Sequence, residues 1–388
     1  MSYLSYLNFS LASFHTLRGA NLTIRNIRLI NFRNYNNLDI ELNDQLNLVI
    51  GKNAQGKTNL LESIYISATG RSFRTNRDRE LIKLDKREAY IAAKAYINGI
   101  QRLIEIKMEQ NKQKRIKVNG IELKNIRELD TGLSVVIFSP DDIGLVKDGP
   151  SKRRGYLDMS ISHLRPIYRY NLNRYNKVLL QRNNLLKSND KNSNALKLLD
   201  IFDMQLGKIG TEIIISRISF LNKLSKISGR IHKNLTSKKE KLALTYISNV
   251  DFTGKCKKDI EESFLNNLKL NRKKDLVLGN TSTGPHRDDI KIDINGMDAR
   301  MYASQGQQRT IVLSIKLSEV EIIRLDKGSY PILLLDDVFS ELDEERRKYL
   351  SLSLQGIQTV ITSTDIANLE ELEGMHKSIF CIDDGKLS

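Results

Sequence analysis

Between an apolar run at residues 46–50 and a helical stretch at about 57–68 stands the segment Gly51-Lys52-Asn53-Ala54-Gln55-Gly56-Lys57-Thr58. A glycine loop with this spacing restricts the fold severely, because it works only when a buried strand delivers it and a helix starts from it. Its backbone amides are then expected to cradle phosphates, aided by the positive end of the helix dipole. Lys57 is placed to neutralise the terminal phosphates and so to serve catalysis, and the Thr58 hydroxyl to ligate Mg²⁺. ATP and Mg²⁺ are the implied cofactors, and an α/β fold of the P-loop NTPase kind the implied architecture.

The chain carries the complement of such a loop far downstream. Pro331-Ile332-Leu333-Leu334-Leu335-Asp336-Asp337 reads as an apolar strand ending in two carboxylates. Asp336 is expected to hold Mg²⁺, and Asp337 to orient or deprotonate the attacking water as the catalytic carboxylate. About thirty residues earlier, Ser304-Gln305-Gly306-Gln307-Gln308-Arg309 opens a helix. Taken alone that is a serine N-cap with a polar first turn. Its order and spacing relative to the other two segments resemble the signature of ABC-type ATPases. The resemblance implies that Ser304, Gly306 and Gln307 bind the γ-phosphate of ATP held by a second copy, so that two nucleotides join a head-to-tail homodimer. Ser340-Glu341-Leu342-Asp343 resembles the D-loop of the same superfamily. Thr364 stands where many relatives carry histidine, and no Q-loop glutamine appears at 139–142, which points to slow hydrolysis with ATP acting as a clamp signal.

Elsewhere the periodicity divides the chain. Alternating apolar positions at Ile27, Leu29, Leu38 and Ile40 predict half-buried strands, and hairpin turns at Asn98-Gly99 and Asn119-Gly120 predict an antiparallel sheet that follows the phosphate loop. From about 151 to 274 the pattern becomes helical, with Pro166 as a first-turn residue and no strict heptads. Strands resume at Ile290, Ile292 and Ile294, turning at Asn295-Gly296. The expected organisation is an extension over 1–21 outside the fold, an ATPase head over 22–150 and 281–388 with an antiparallel β subdomain, and an inserted α-helical arm over 151–280.

A formal charge of +16 favours polyanionic partners through counterion release, and also fits solvated basic faces. Arg71 and Arg74, just after the loop helix, and Arg153 and Arg154, opening the arm, are candidate contacts to DNA phosphates. His286 reads as a hydrogen-bonding loop residue, since no second His or Cys lies at metal-ligand spacing. Cys256 and Cys381 are too few for a disulfide framework and fit a reducing, cytoplasmic setting. No run approaches the roughly 20 apolar residues of a membrane span.

Several stretches together resemble the RecF family of ABC/SMC-like ATPases across nearly all of 22–388. They are Asn31-Phe32-Arg33-Asn34-Tyr35, Gly70-Arg71-Ser72-Phe73-Arg74-Thr75, Phe138-Ser139-Pro140-Asp141-Asp142, Thr283-Gly284-Pro285-His286-Arg287-Asp288-Asp289, and the 151–158 and 336–343 segments. The resemblance implies an ATPase head with a helical arm, ATP-dependent dimerisation, and DNA binding in replication, recombinational repair and SOS induction. It also implies work with RecO and RecR in loading RecA. An ATPase of the SMC kind would interrupt the two nucleotide halves with a long heptad coiled coil. A transporter's nucleotide-binding subunit would place its signature nearer the loop and carry the switch histidine. A DNA clamp with a vestigial nucleotide site is opposed by intact Lys57, Thr58, Asp336 and Asp337.

Overall fold

The computed structural model describes residues 22–124, 131–188, 193–365, 369, 371–372 and 374–387. The extension over 1–21 lies outside the described residues. In chain order the main elements are β1 (Leu22–Phe32), β2 (Tyr35–Glu41), β3 (Leu46–Ile50), α1 (Lys57–Thr69), β4 (Glu88–Ile97), β5 (Ile100–Glu109), β6 (Arg115–Val118), β7 (Ile121–Glu122) and β8 (Val135–Phe138). They continue with α2 (Pro150–Leu164), α3 (Pro166–Lys187), α4 (Ser193–Leu235), β9 (Leu242–Ile247), α5 (Lys257–Leu278), β10 (Asp289–Ile294), β11 (Met297–Asp298) and α6 (Gln305–Lys327). Last come β12 (Ile332–Asp336), α7 (Glu344–Ser353), β13 (Thr359–Ser363), β14 (Lys377–Asp383) and β15 (Lys386–Leu387). The chain forms two compact units, one of Met1–Pro140 with Ile323–Ser388, the other of Asp141–Ile322.

In the first unit a sheet ordered β2-β1-β4-β5-β6-β7 is antiparallel throughout, and a second is ordered β15-β14-β3-β13-β12-β8. Strands β14, β3, β13, β12 and β8 run parallel, with β15 turning back on the edge. Helix α1 buries Leu60, Leu61, Ile64, Tyr65, Ile66 and Ala68 in one core with Ile27, Leu29, Ile91 and Ile106 of the antiparallel sheet and Val49, Leu334 and Val360 of the parallel one. Helix α1 is buried on nearly every face, Glu62, Ser63 and Ser67 included, because a sheet covers it on each side. Sequence periodicity places the antiparallel sheet after the phosphate loop, yet β1 and β2 precede the loop and supply a third of its strands. The Asn-Gly turns are as expected: Asn98 and Asn119 have φ of 53° and 51°, Gly99 and Gly120 of 79° and 80°, and they close Ile97↔Ile100 and Val118↔Ile121.

The second unit begins before residue 151 and ends beyond 280. The reason is β9, a strand inside the stretch read as helical, whose alternating Leu242, Leu244 and Tyr246 are buried. It pairs with β10 from Asp289↔Ile247 to Ile294↔Leu242, which ties the 289–294 strand to the helices. Buried arginines lock those helices together. Arg182 of α3 bonds Asp203 at 2.6 Å, Asp275 at 2.8 Å and Thr281 at 2.9 Å, joining α3, α4 and α5. Arg217 of α4 bonds Asp158 at 2.7 Å and the Pro285 carbonyl at 2.6 Å. Removing one partner from such a pair leaves an uncompensated buried charge, at a cost of about 3–5 kcal/mol.

His286 is packed beneath α3 with both ring nitrogens used. Its Nε2 hydrogen goes to the Thr281 carbonyl at 2.9 Å, because a carbonyl only accepts, and Nδ1 lies 2.8 Å from the Tyr175 hydroxyl. Burial pushes its pKa down from 6.5 to about 4. The unfolded chain therefore binds a proton that the folded chain refuses, and stability falls as pH drops from about 6.5 towards 4. The slope for one such proton is about 1.4 kcal/mol per pH unit at most. Urea unfolding across this window should show a shallower pH dependence for His286→Gln than for the parent chain. Equal slopes would mean that His286 titrates alike in both states.

Candidate nucleotide-binding site

The phosphate loop leaves β3 at the carboxyl end of the parallel sheet, where ligands of open α/β sheets bind. Gly51 passes so close to the C-terminal hairpin that a Cβ would stand 2.3 Å from the Ile382 carbonyl oxygen. Gly56, the N-cap of α1, has φ of 115°, and a Cβ there would meet the Asn34 side chain at 2.6 Å. Both positions exclude any larger residue. Lys52, Asn53 and Ala54 form the exposed crest, and no side chain caps α1, which has no acid in its first turn. The Lys57 ammonium turns back over the loop and donates to the Gly51 and Lys52 carbonyls at 2.6 and 2.9 Å. Burial lowers its proton affinity, and the charges of Asp337 and Asp336 act in the opposite sense.

Strand β13 lies between β3 and β12, and its register brings the two halves of the site together. Thr362 sits opposite both Val49 and Asp336. The Asp336 carboxylate oxygen Oδ1 accepts from the Thr58 hydroxyl at 2.9 Å and from the Thr362 hydroxyl at 2.8 Å. Burial raises the Asp336 pKa, while those hydroxyls, and more weakly the charge of Arg74, lower it. Asp337 follows with φ of 54°, a left-handed conformation that costs a non-glycine residue about 1–3 kcal/mol. Its backbone nitrogen donates to Thr362 Oγ1 at 3.0 Å, and its buried Oδ1 has no hydrogen-bond partner among the described residues. The Asp336 carboxylate and the Thr58 hydroxyl beside it fit Mg²⁺, which takes one or two carboxylates and completes its shell with water and phosphate, while the orphaned Asp337 oxygen keeps lone pairs to accept from a water.

The Asn31–Tyr35 stretch is recognisable in the sequence, but its support of the loop is not. The two-residue turn between β1 and β2 presses on the loop: Asn34 Nδ2 donates to the Gln55 carbonyl at 2.7 Å, and the Tyr35 hydroxyl to the Gly56 carbonyl at 2.9 Å. Asn59, next to Thr58, donates to Asn34 Oδ1 at 2.8 Å. Arg33 grips the fully buried Glu62 of α1 through two bonds of 2.8 Å. From the other side the Gly385 nitrogen donates to the Gln55 carbonyl at 3.1 Å. Strand periodicity signals the β1–β2 hairpin but says nothing of where its tip lands.

The signature segment belongs to the second unit. Ser304 and Gln307 form a reciprocal capping box at the start of α6, with Gln307 N to Ser304 Oγ at 3.2 Å and Ser304 N to Gln307 Oε1 at 2.9 Å. Ser304 and Gly306 are exposed, and among the described residues a Cβ on Gly306 would meet nothing within 4 Å. This helix end is thus capped from within and open outward. In the D-loop segment Ser340 donates to the Asp337 carbonyl at 2.7 Å, and Asp343 caps α7 by accepting from Arg346 N at 3.0 Å. Thr364 is exposed just beyond β13.

The four candidate DNA arginines fare differently. Arg71 is exposed. Arg74 keeps 40% of its side chain exposed, yet donates to Asn59 Oδ1 at 2.8 Å and lies 3.7 Å from Glu62. Arg153 is only 5% exposed; its guanidinium is taken up by Asp289 at 2.7 and 2.9 Å and by the Asp148 carbonyl at 2.7 Å. It is a structural pin and not a DNA contact, because a buried, fully paired cation cannot reach a phosphate. Arg154 is half-buried and donates to the Asp288 carbonyl at 2.8 Å.

A phosphate loop and a paired-aspartate strand, separated by one strand of a parallel sheet and backed by an antiparallel sheet, define a P-loop nucleotide-binding head. The model of the RecF/RecN/SMC N-terminal domain family matches residues 23–383. The DNA replication and repair protein RecF of Clostridium acetobutylicum is 46% identical over 94% of this chain and 99% of its own length, and that of Clostridium tetani 44% identical over 94% and 98%. A solved structure of the recombination mediator protein RecF with ATP, in the RecFOR pathway, superposes with a TM-score of 0.89 at 39% identity, covering 96% of this chain and 99% of that one. An Smc head domain derived from Pyrococcus furiosus shares the fold alone, with a TM-score of 0.54 at 14% identity. The chain belongs to the RecF family.

Proposed function

We propose that this chain is an ATP-dependent DNA-binding protein of replication and recombinational repair, closing as a homodimer on two MgATP molecules. In this reading it binds gapped or single-stranded DNA and, with RecO and RecR, helps to load RecA. The observation that carries it is the join of Thr58 to Asp336 and Thr362, with Asp337 free to face a phosphate. The loop amides and Lys57 would hold the β- and γ-phosphates, and Thr58 and Asp336 would hold the metal, which would supply neutralisation of phosphate charge. Asp337 positions the attacking water, and Ser304, Gly306 and Gln307 of the second copy close the site over the γ-phosphate. Thr364 at the switch position leaves turnover slow, so nucleotide state governs how long the clamp stays on DNA. The names of the relatives support the process assigned here, and a charge of +16 supports a polyanionic partner. Among the described residues no helix is long and apolar enough to cross a membrane.

Fluorescence anisotropy on gapped duplex DNA tests the proposal. ATP should tighten binding by about tenfold over no nucleotide, and Arg71→Ala should reduce the slope of log affinity against log salt by about one. Affinity that ignores ATP would contradict the clamp, and an unchanged slope would remove Arg71 from the DNA face.

A further inference from the structure

Behind the signature helix lies a hydrogen-bonded chain that no step of the proposed mechanism uses. Gln307 Nε2 donates to Glu240 Oε1 at 2.9 Å, and Glu240 Oε2 lies 3.0 Å from His232 Nε2. A carboxylate only accepts, so that ring nitrogen carries the hydrogen. His232 is fully buried, and its Nδ1 lies 3.0 Å from Ser314 Oγ, deeper along α6. Both carboxylate oxygens of Glu240 are therefore committed, one to the signature and one to a ring fixed in the core.

We infer that Glu240 is a positioning residue for the signature, acting on Ser304 through the side-chain amide of Gln307. An amide has one donor end and one acceptor end. The carboxylate demands the NH₂ end, which turns Gln307 Oε1 towards the Ser304 backbone nitrogen and holds the capping box closed. Without Glu240 the amide is free to rotate, and the serine that meets the partner's γ-phosphate loses its fixed geometry. Rigid backbone holds Glu240 itself: Lys241 and Asn295 exchange bonds of 2.8 and 2.9 Å, pinning the start of β9 to the β10–β11 turn that leads towards the signature. A site preorganised in this way avoids ordering costs at the moment of binding.

The inference rests on the reading of Ser304 as a group that acts across a dimer, and the test separates the two. Light scattering on the full chain with short duplex DNA and ATP measures dimer affinity, while titration of dilute monomer with MgATP reports the fold and the phosphate loop. Glu240→Ala should weaken the ATP-dependent dimer by about tenfold, as loss of a charge-assisted bond does, and leave monomer ATP affinity within about twofold. Glu240→Gln can still accept from Gln307 with its NH₂ turned to His232, whose hydrogen then sits on Nδ1 facing Ser314, and should recover most of the loss. Glu240→Asp keeps the charge but shortens the reach, and gives the same split in milder form should the alanine variant not fold. In a Gln307→Ala background Glu240→Ala should add little, because its route to Ser304 is already cut. If Ser304→Arg abolishes the dimer while the Glu240 variants keep it, or if the Glu240 and Gln307 effects simply add, the positioning role is overturned and the trans-acting signature stands. If Ser304→Arg has no effect, the signature reading falls first.

Discussion

Lys57→Ala is expected to cut MgATP affinity and turnover by about 10²-fold or more, the scale found when one preorganised group that stabilises phosphate charge is removed. Its ammonium is the one side-chain cation of the 51–58 loop directed over the loop carbonyls, at 2.6 and 2.9 Å, and it sits within the fields of Asp336 and Asp337. Without it the metal at Thr58 and Asp336 is left to offset both the two carboxylates and the phosphate oxygens, so ATP loses much of its attraction to the loop. The fold should survive. Helix α1 is held by Leu60, Leu61 and Ile64 in the core and by the Arg33–Glu62 pair, none of which involves residue 57. Calorimetric titration with MgATP and phosphate-release kinetics, with thermal melting as the control, check this. ATP affinity within about threefold of the parent would remove Lys57 from the phosphate site.

Asp337→Asn is expected to separate binding from hydrolysis. The substitution keeps size and shape, and asparagine tolerates the left-handed φ of 54° at this position. Affinity for MgATP should hold within a few-fold, because Thr58 and Asp336 remain joined. Turnover should fall by about 10²- to 10⁴-fold, since an amide cannot take a proton from water. The DNA-bound, ATP-bound dimer should then accumulate and dissociate more slowly than the parent. Single-turnover hydrolysis and the lifetime of the complex after dilution measure the two effects. A variant that hydrolyses at the parent rate would show that another group orients the water.

How much of this could be read from sequence depends on whether the cause is local. The phosphate loop, the paired aspartates and the Asn-Gly turns are legible because each is a short segment whose chemistry dictates its own geometry. The Walker-type halves, 278 residues apart at Thr58 and Asp336, are legible as parts, while their joint through Thr362 depends on β13 lying between β3 and β12. Strand β9 is illegible for the opposite reason. Its six residues stand between long helical patterns, and the partner that stabilises it, β10, pairs Leu244 with Ile292 far along the chain. That one pairing also moves the boundary of the second unit beyond 280. Arg153 shows the limit of charge counting: it resembles its exposed neighbour Lys152 in sequence, and Asp289, 136 residues on, together with the Asp148 carbonyl, turns it into a buried pin. The grip of Asn34 and Tyr35 on the loop belongs to the same class, because a hairpin's period tells its faces but not what its tip touches. Glu240, in a loop between α4 and β9, carries no motif at all, and its contact with Gln307 appears only in three dimensions.

ATP is expected to join two copies of the chain through Ser304. Molar mass by light scattering, with ATP, ADP or no nucleotide and short duplex DNA present, tests it most directly on the parent chain and on Ser304→Arg. The arginine would project from an exposed helix end into space reserved for a partner's γ-phosphate, so ATP binding by the monomer should persist. The protein mass of the parent chain should double with ATP alone, and the variant should stay monomeric under every condition. A parent chain whose mass never responds to ATP, or a Ser304→Arg protein that dimerises as the parent does, would contradict it.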